Sequence, residues 1–439
     1  MPTRCLLILL DGVGDRAHPV LGGLTPLAAA DTPAFDALAA RGCNGLYHAG
    51  RMGQALPSEN AHFAMFGYDG AEFPGRGPLE ALGAGVDLAP GEVAVLAHLA
   101  GLDVDAKGRA RLALDCPKLP EDEALAFLSA LPEGQWRGVR IRFERTKGVF
   151  GVLVLSGDCG PRFTDSNPMV EGRMLSEILP LAEAGATSAN TAAAVKDYLV
   201  AAHRALAAHP ANADRAGRGL PPINGLVTQR AGRLTKVPSM NERFGLRGLT
   251  ISSGAVYHGL ARFLGMEVMA VEDTGDPGRD LARRLEMAME TRLGFDFIHV
   301  HTKAPDQAAH QKDPLAKRDV LKVLDEAAGP ALETLAADPD VLVALTADHS
   351  TPSAGGLIHS GEPVPLTLAG SGVRVDRVHR FHEVAAAAGA LGCVRGQEFM
   401  YLVLNHLDKA RLAGIRDVPG DPAYWPGPYS PFTLPPQEP

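Results

Sequence analysis

An α/β fold built on a mainly parallel sheet with helices on both faces, interrupted by a smaller inserted α+β domain, is what this sequence of 439 residues predicts. Three observations carry the prediction. Short apolar runs stop abruptly near polar residues: Leu6–Leu10 before Asp11, Phe297–Val300 before Lys303, and Val341–Leu345 before Asp348. Parallel strands buried on both faces have this appearance, and their ligands sit just past their carboxyl ends. Helical stretches alternate with these runs, and across residues 91–230 the texture shifts toward strand-like alternation.

The elements follow in chain order. Leu6–Leu10 is expected to be a buried strand, since the apolar core of a secretory leader would run longer before its first charge. Thr32-Pro33 is expected to cap a helix running through Leu38 toward Gly42. Leu56-Pro57-Ser58 is a Pro-led turn into a helical stretch, Ala61–Phe66. Residues 1–90 thus form the first part of a core domain, and residues 91–230 form the insertion. Within the insertion, Val139–Phe143 and Val149–Leu155 alternate like strands, Asn190–Ala208 is Ala-rich and helical, and Gly217–Pro222 reads as return linker. Residues 231–415 complete the core, with Lys317–Leu335 helical by its apolar spacing. The segment 416–439 is a Pro-rich tail without apolar period, expected to wrap the surface or stay disordered.

Composition narrows the partners. With 46% hydrophobic and 21% charged residues the chain is that of an ordinary globular protein, and its net charge of -9 argues against a nucleic acid or an acidic membrane surface. No run reaches the roughly 18 apolar residues of a membrane span. Five cysteines, odd in number and never in a C-x-x-C pair, indicate neither a disulfide framework nor a cysteine-zinc site and fit a reducing cytoplasm.

The chemistry gathers at the strand ends. Asp306 and His310 are spaced i, i+4, which puts a carboxylate and an imidazole on one helical face. Asp348-His349 follows the run Val341–Leu345, and His359 lies in the Gly-rich loop after it. Asp11, Asp306 and Asp348 all fall at or just beyond apolar strand ends, a coincidence that composition does not supply. Mixed carboxylate and imidazole donors without thiolate suit manganese, zinc, cobalt or iron better than magnesium. Three carboxylates and a serine alkoxide balance two divalent ions, so a phosphate dianion meets little repulsion there. Ser58 is the candidate nucleophile, at a helix start whose amides and dipole favour an anion; it also reads as an ordinary helix cap. Asn60 is either a donor to a phosphoryl oxygen or a first-turn residue.

Longer motifs join these positions. Leu9-Leu10-Asp11-Gly12-Val13-Gly14-Asp15, Gly23-Leu24-Thr25-Pro26-Leu27, Gly75-Arg76-Gly77-Pro78-Leu79-Glu80, Lys303-Ala304-Pro305-Asp306, Asp348-His349-Ser350-Thr351-Pro352 and His359-Ser360-Gly361-Glu362-Pro363-Val364-Pro365 occur in this order. Together they resemble the archaeal-type, 2,3-bisphosphoglycerate-independent phosphoglycerate mutases of the alkaline phosphatase superfamily. The resemblance implies an alkaline-phosphatase-like core interrupted by a substrate-capping insertion, and isomerisation of phosphoglycerate through a phosphoserine on Ser58. It implies one metal on Asp11, Ser58, Asp348 and His349, and another on Asp306, His310 and His359, with no 2,3-bisphosphoglycerate; the donor types make manganese or zinc the expected metal, with cobalt or magnesium as alternatives. A phosphatase or a phosphotransferase of the homoserine-kinase-like branch is the alternative activity.

Two departures from the family pattern bear on substrate. The family reads Ser-Asp-Thr-Ala-His where this chain has Ser58-Glu59-Asn60-Ala61-His62, and Lys147-Gly148 stands where a His-Arg pair is expected. A lysine does not reproduce a bidentate guanidinium. Arg140 and Arg142, alternating with Ile141 and Phe143, form either a clamp for an anionic substrate or a solvated strand face. Arg76 and Lys303 are placed by motif as further substrate contacts, and Asp165 is either a substrate-hydroxyl ligand or a turn residue. His62 is either a proton relay or a packed histidine. The expected partner is a small phosphorylated metabolite, with a homo-oligomer allowed, in the cytoplasm.

Overall fold

The computed structural model describes residues 1–434. Its strands, in chain order, are β1 (Arg4–Leu10), β2 (Cys43–His48), β3 (Val93–Val104), β4 (Ala110–Leu114), β5 (Gly134–Trp136), β6 (Val139–Lys147), β7 (Phe150–Ser156), β8 (Gly225–Gly232), β9 (Gly248–Ser252), β10 (Glu267–Ala270), β11 (Phe297–Thr302), β12 (Val341–Thr346), β13 (Val364–Ala369) and β14 (Gly392–Arg395). Two compact units contain them. The first comprises Met1–Phe73, Val237–Tyr257 and the chain from Ala261 onward; the second comprises Pro74–Lys236 and His258–Leu260.

The first unit holds an eight-stranded sheet in the order β10-β9-β11-β1-β12-β13-β2-β14. From β10 to β12 it is parallel, and β13 then runs antiparallel between β12 and β2. Strand β1 lies between β11 and β12, with Leu9 opposite both His301 and Thr346. Nearly every residue of these three strands is buried, as a strand covered on both faces requires, and backbone pairing sets their carboxyl ends side by side.

Helix starts show how the flanking layers are fixed. Asp313 caps the helix Pro314–Ala337 by accepting from the amides of Leu315 and Ala316, with proline at the first helical position. Thr32 precedes the helix Pro33–Ala39 as expected, but its side chain makes no capping bond. The cap comes from a distance: the Asp325 carboxylate accepts from Ala34 N and Phe35 N at 3.2 and 2.7 Å, stapling one helix to the other. The Pro-rich segment is irregular as far as residue 434, and Tyr424 packs against Gly245, whose φ of 63° belongs to the left-handed region. The part of the tail beyond 434 lies outside the described residues.

The second unit carries an antiparallel sheet in the order β4-β3-β7-β6-β5, with β8 also paired to β3. The helix Ala186–Ala207 packs Tyr198, Val195 and Leu206 into its core with Leu153, Val139 and Phe127. Two boundaries differ from those read in the sequence. The unit begins at Pro74 rather than 91, because the helix Arg76–Ala84 lies on β3 so closely that a Cβ at Gly77 would meet Ala94 O at 2.2 Å. Gly217–Pro222 is not a return linker: β8 follows it and pairs with β3, so the chain leaves this unit only after Lys236.

Candidate active site and metal centre

The polar ends of β1, β11 and β12 converge in the first unit. Asp11 follows β1 directly, and its amide donates to Thr302 O at 3.0 Å. Gly12 then turns with φ 67°, and a Cβ there would meet Thr351 Oγ1 at 2.5 Å, so both conformation and space demand glycine. Its amide donates to Asp348 Oδ1 at 3.1 Å, which ties the end of β1 to the end of β12. Lys303 caps the short helix Ala304–His310, and Asp306 and His310 share one face of it with Oδ1 and Nε2 3.3 Å apart. His359 Nε2 lies 3.6 Å from the same Asp306 oxygen, while its Nδ1 is fixed by Leu56 O at 2.7 Å. The His349 and His359 rings stack at 3.8 Å.

Ser58 belongs to the same cluster. It is the first residue of the helix Ser58–Met65, whose cap position is Pro57 with no side-chain capping bond. The Ser58 hydroxyl is therefore not spent on capping: its Oγ lies 2.9 Å from His349 Nε2. His349 Nε2 is also 3.5 Å from Asp11 Oδ1 and 3.1 Å from Asp348 Oδ2. Donor atoms of Asp306, His310 and His359 lie within 4.8 Å of one another, as do those of Asp11, Asp306 and His349. All seven residues singled out by spacing and motif are thus brought together.

The electrostatics are those of an overcrowded anionic site. Burial and the Asp348 charge push the Asp11 carboxyl upward, yet Lys303 and His301 bring it below its ordinary value. Burial acts likewise on Asp348, and His349 with His62 holds it well below the carboxylate range. Asp306 is held low against burial by His310, His359 and Lys303. Burial opposes a charged His349, but Asp348, Asp11 and Asp306 overcome it and lift the imidazole to about 9. One proton there partly offsets three buried carboxylates. Meanwhile Asp11 Oδ1, Asp306 Oδ2 and Asp348 Oδ2 are buried and accept no hydrogen bond. Orphaned anionic oxygens of this kind are costly unless a cation occupies the space they face, so the donor set fits divalent metal ions.

Several residues in the cluster escaped the sequence reading. Tyr257 donates its hydroxyl hydrogen bond to Asp11 Oδ2 at 2.7 Å, and Lys303 Nζ donates to the tyrosine oxygen at 3.2 Å. His301 Nε2 stands 3.0 Å from the same Asp11 oxygen; burial lowers its pKa to about 4. Thr351 Oγ1 donates to Asp306 Oδ1 at 2.7 Å. Beneath them, fully buried Lys317 donates to Gly14 O, Asp15 Oδ2 and Thr351 O at 2.9, 3.1 and 2.8 Å, using all three of its protons to lock the Asp11 and Asp348 loops together. His62 is wholly buried with Nδ1 2.8 Å from Ser58 O and 3.3 Å from Asp348 Oδ2, beneath the nucleophile candidate rather than beside its hydroxyl.

The expected substrate contacts fare unevenly. Lys303 is half-exposed, with Nζ 3.5 Å from Asp306 Oδ2. Asn60 is half-buried in the helix start after Ser58, and its side chain makes no hydrogen bond among the described residues. Arg76, Arg140, Arg142 and Asp165 belong to the second unit. There Arg140 is exposed on β6, but Arg142 is engaged by Glu92 and Glu144, each at 2.9 Å, so the two arginines are not a matched pair of open cations. Arg76 lies 3.5 Å from Glu80, and the Asp165 carboxylate accepts from Arg230 N at 2.6 Å.

Comparison with known proteins identifies the family. Residues 3–406 match the metalloenzyme superfamily. A 2,3-bisphosphoglycerate-independent phosphoglycerate mutase of Methanocaldococcus jannaschii is 36% identical, over 94% of this chain and 95% of its own length. Its counterpart in Methanopyrus kandleri is 36% identical over 94% of this chain and 99% of its own. Among solved structures, a Pyrococcus horikoshii protein superposes with a TM-score of 0.76 at 28% identity, covering 94% of this chain and all of that one. A cofactor-independent phosphoglycerate mutase of Thermoplasma acidophilum gives a TM-score of 0.62 at 29% identity, over 92% of this chain and 100% of its own. With the superfamily match spanning nearly the whole sequence and full-length relatives above one-third identity, this chain belongs to the 2,3-bisphosphoglycerate-independent phosphoglycerate mutases of the metalloenzyme superfamily.

Proposed function

We propose that the protein is a metal-dependent isomerase interconverting 2-phosphoglycerate and 3-phosphoglycerate through a phosphoserine on Ser58. The observation that carries this reading is the Ser58 hydroxyl, released from capping and 2.9 Å from His349 Nε2, among three buried carboxylates with unmatched oxygens. Asp11, Ser58, Asp348 and His349 are assigned to one divalent ion and Asp306, His310 and His359 to the other. Manganese or zinc is the expected metal, with cobalt or magnesium as substitutes and no 2,3-bisphosphoglycerate required. When bound, the ions supply Lewis acidity and neutralise charge on the phosphoryl group.

The chain's own residues account for the rest. The Ser58 Oγ–P bond forms as the bond from phosphorus to the substrate's carbon-2 or carbon-3 oxygen breaks, and the proton leaving Ser58 matches the one gained by the departing oxygen. Glycerate then turns, its other hydroxyl attacks the phosphoserine, and Ser58 is restored. Amides of the first helical turn and Lys303 stabilise the phosphoryl oxygens, while Tyr257 and His301 hold Asp11 in place. Asn60, Arg76, Arg140, Arg142 and Asp165 remain candidate substrate contacts. No helix of the described residues is long and apolar enough to cross a membrane. The activity belongs to glycolysis and gluconeogenesis, and we place it in the cytoplasm.

The test is conversion of 3-phosphoglycerate to its isomer by manganese-loaded protein without release of inorganic phosphate, and its loss in Ser58→Ala. Steady phosphate release with no isomer formed would sink the mutase reading in favour of a phosphatase.

A further inference from the structure

A second group of metal-type donors lies in the second unit, whereas Ser58 and the three carboxylates belong to the first. His98 stands on β3 with a side chain only 3% exposed. Asp115 and Cys116 follow the last residue of β4, Leu114, which pairs with Gly101 of β3. Asp115 Oδ1 is 2.7 Å and Cys116 Sγ 3.5 Å from the same atom, His98 Nε2. All three donor atoms fall within 4.8 Å of one another. The Asp115 amide donates to Glu171 Oε1 at 2.7 Å, which brings another carboxylate to the edge of the group.

We propose that His98, Asp115 and Cys116 bind a zinc-class divalent cation, with the fourth position taken by water or by the Glu171 carboxylate. A tetrahedral site with bonds of about 2.3 Å to sulfur and about 2.0 Å to nitrogen separates those atoms by roughly 3.5 Å. That is the Cys116–His98 spacing found. The nitrogen-oxygen pair must open by about 0.6 Å to reach its tetrahedral separation, within reach of a rotation of the Asp115 side chain, which is 24% exposed. Charge balances as well: one thiolate and one carboxylate neutralise a dication. A mixed sulfur and imidazole set selects zinc or cobalt over magnesium or calcium.

The backbone at Cys116 is also unusual. Cys116 takes φ 44°, where glycine or asparagine is the ordinary occupant, with its sulfur near the imidazole. Binding would release the Cys116 thiol proton to solvent as the sulfur enters as thiolate. The bound ion would clip β3 to the chain leaving β4, at an end of the sheet where β4 pairs only with the last residues of β3.

Cobalt distinguishes this site from the first unit's, whose candidate donors include no thiolate. Reduced, metal-free full-length protein titrated with Co2+ is expected to develop a near-ultraviolet thiolate-to-cobalt charge-transfer band saturating at one ion per chain. Cys116→Ser, at an exposed position, is expected to lose the band while keeping its native circular dichroism. Asp115→Asn is expected to keep the band and weaken its cobalt midpoint by more than about tenfold. No band in the native protein, a band surviving in Cys116→Ser, or an unchanged midpoint in Asp115→Asn would each overturn the proposal.

Discussion

Removing a single oxygen from Tyr257 tests whether the Asp11 carboxylate is held for metal binding. In Tyr257→Phe the ring remains, with its contacts to His62 and His301 at centroid distances of 5.0 and 4.1 Å, so packing changes little. What is lost is the hydrogen bond to Asp11 Oδ2 at 2.7 Å, together with the acceptor for Lys303 and a hydrogen bond with the Ser58 hydroxyl. A hydrogen bond to a charged group contributes about 1.5–3 kcal/mol. Asp11 Oδ2 keeps His301 Nε2 at 3.0 Å, which limits the penalty to the lower end of that range. About 1.5 kcal/mol corresponds to roughly tenfold, the size of effect expected when a partner orienting a metal ligand is deleted. Calorimetric titration with manganese should therefore show about tenfold weaker binding, and turnover at limiting metal should fall in parallel. Affinity and turnover both within about twofold of the native protein would refute the idea that Tyr257 orients Asp11.

Three other outcomes follow from the same geometry. Ser58→Ala should lower isomerisation at least about a thousandfold while leaving the melting temperature near native, and mass spectrometry should find no phosphorylated serine. His349, raised from 6.5 to about 9 when folded, gives the metal-free protein stability that is complete below pH 6.5 and lost as pH rises toward 9, about 3 kcal/mol in all. The metal-free melting temperature should fall across that window while manganese affinity rises, because the proton must leave for the ion to bind; flat profiles would contradict this. Lys317→Met removes the buried cation beside Asp15, whose carboxylate keeps Ser353 and His18 as partners, and should cost about 3 kcal/mol in urea unfolding, against no change if the lysine were a spectator.

What was legible in the sequence has a local cause. Strands β1, β11 and β12 declare themselves because burial on both faces forces continuous apolar runs, and the end of each run marks where Asp11, Lys303 and Asp348 stand. The pair Asp306 and His310 is visible because helical spacing is short-range. Tyr257 gives no such signal: it meets Asp11 across 246 positions, and only the assembled sheet brings them together. His301 hides for another reason, since a histidine inside a buried strand reads as core. The same holds for Arg142, whose alternation on β6 is plain but whose partner Glu92 lies 50 residues away. Likewise the cap of the helix at Pro33 was assigned to its neighbour Thr32, whereas tertiary packing supplies Asp325.

The order of strands in the first unit bears on how the protein is made. Strand β1 leaves the ribosome before its two neighbours, which are translated about 290 residues or more later, since Cys5 pairs with Phe297 and Leu342. At roughly 5–20 residues per second that is a wait of about 15–60 s for an apolar strand without a partner. Residues 74–236 own a complete sheet and core and are synthesised meanwhile as one stretch. The nascent chain should therefore fold from the middle outward, with β1 and β2 sheltered by a chaperone until β12 and β13 appear. The metal-type donors around Asp11 then assemble late, because Gly12 and Asp348 meet only once the chain has been made through residue 348.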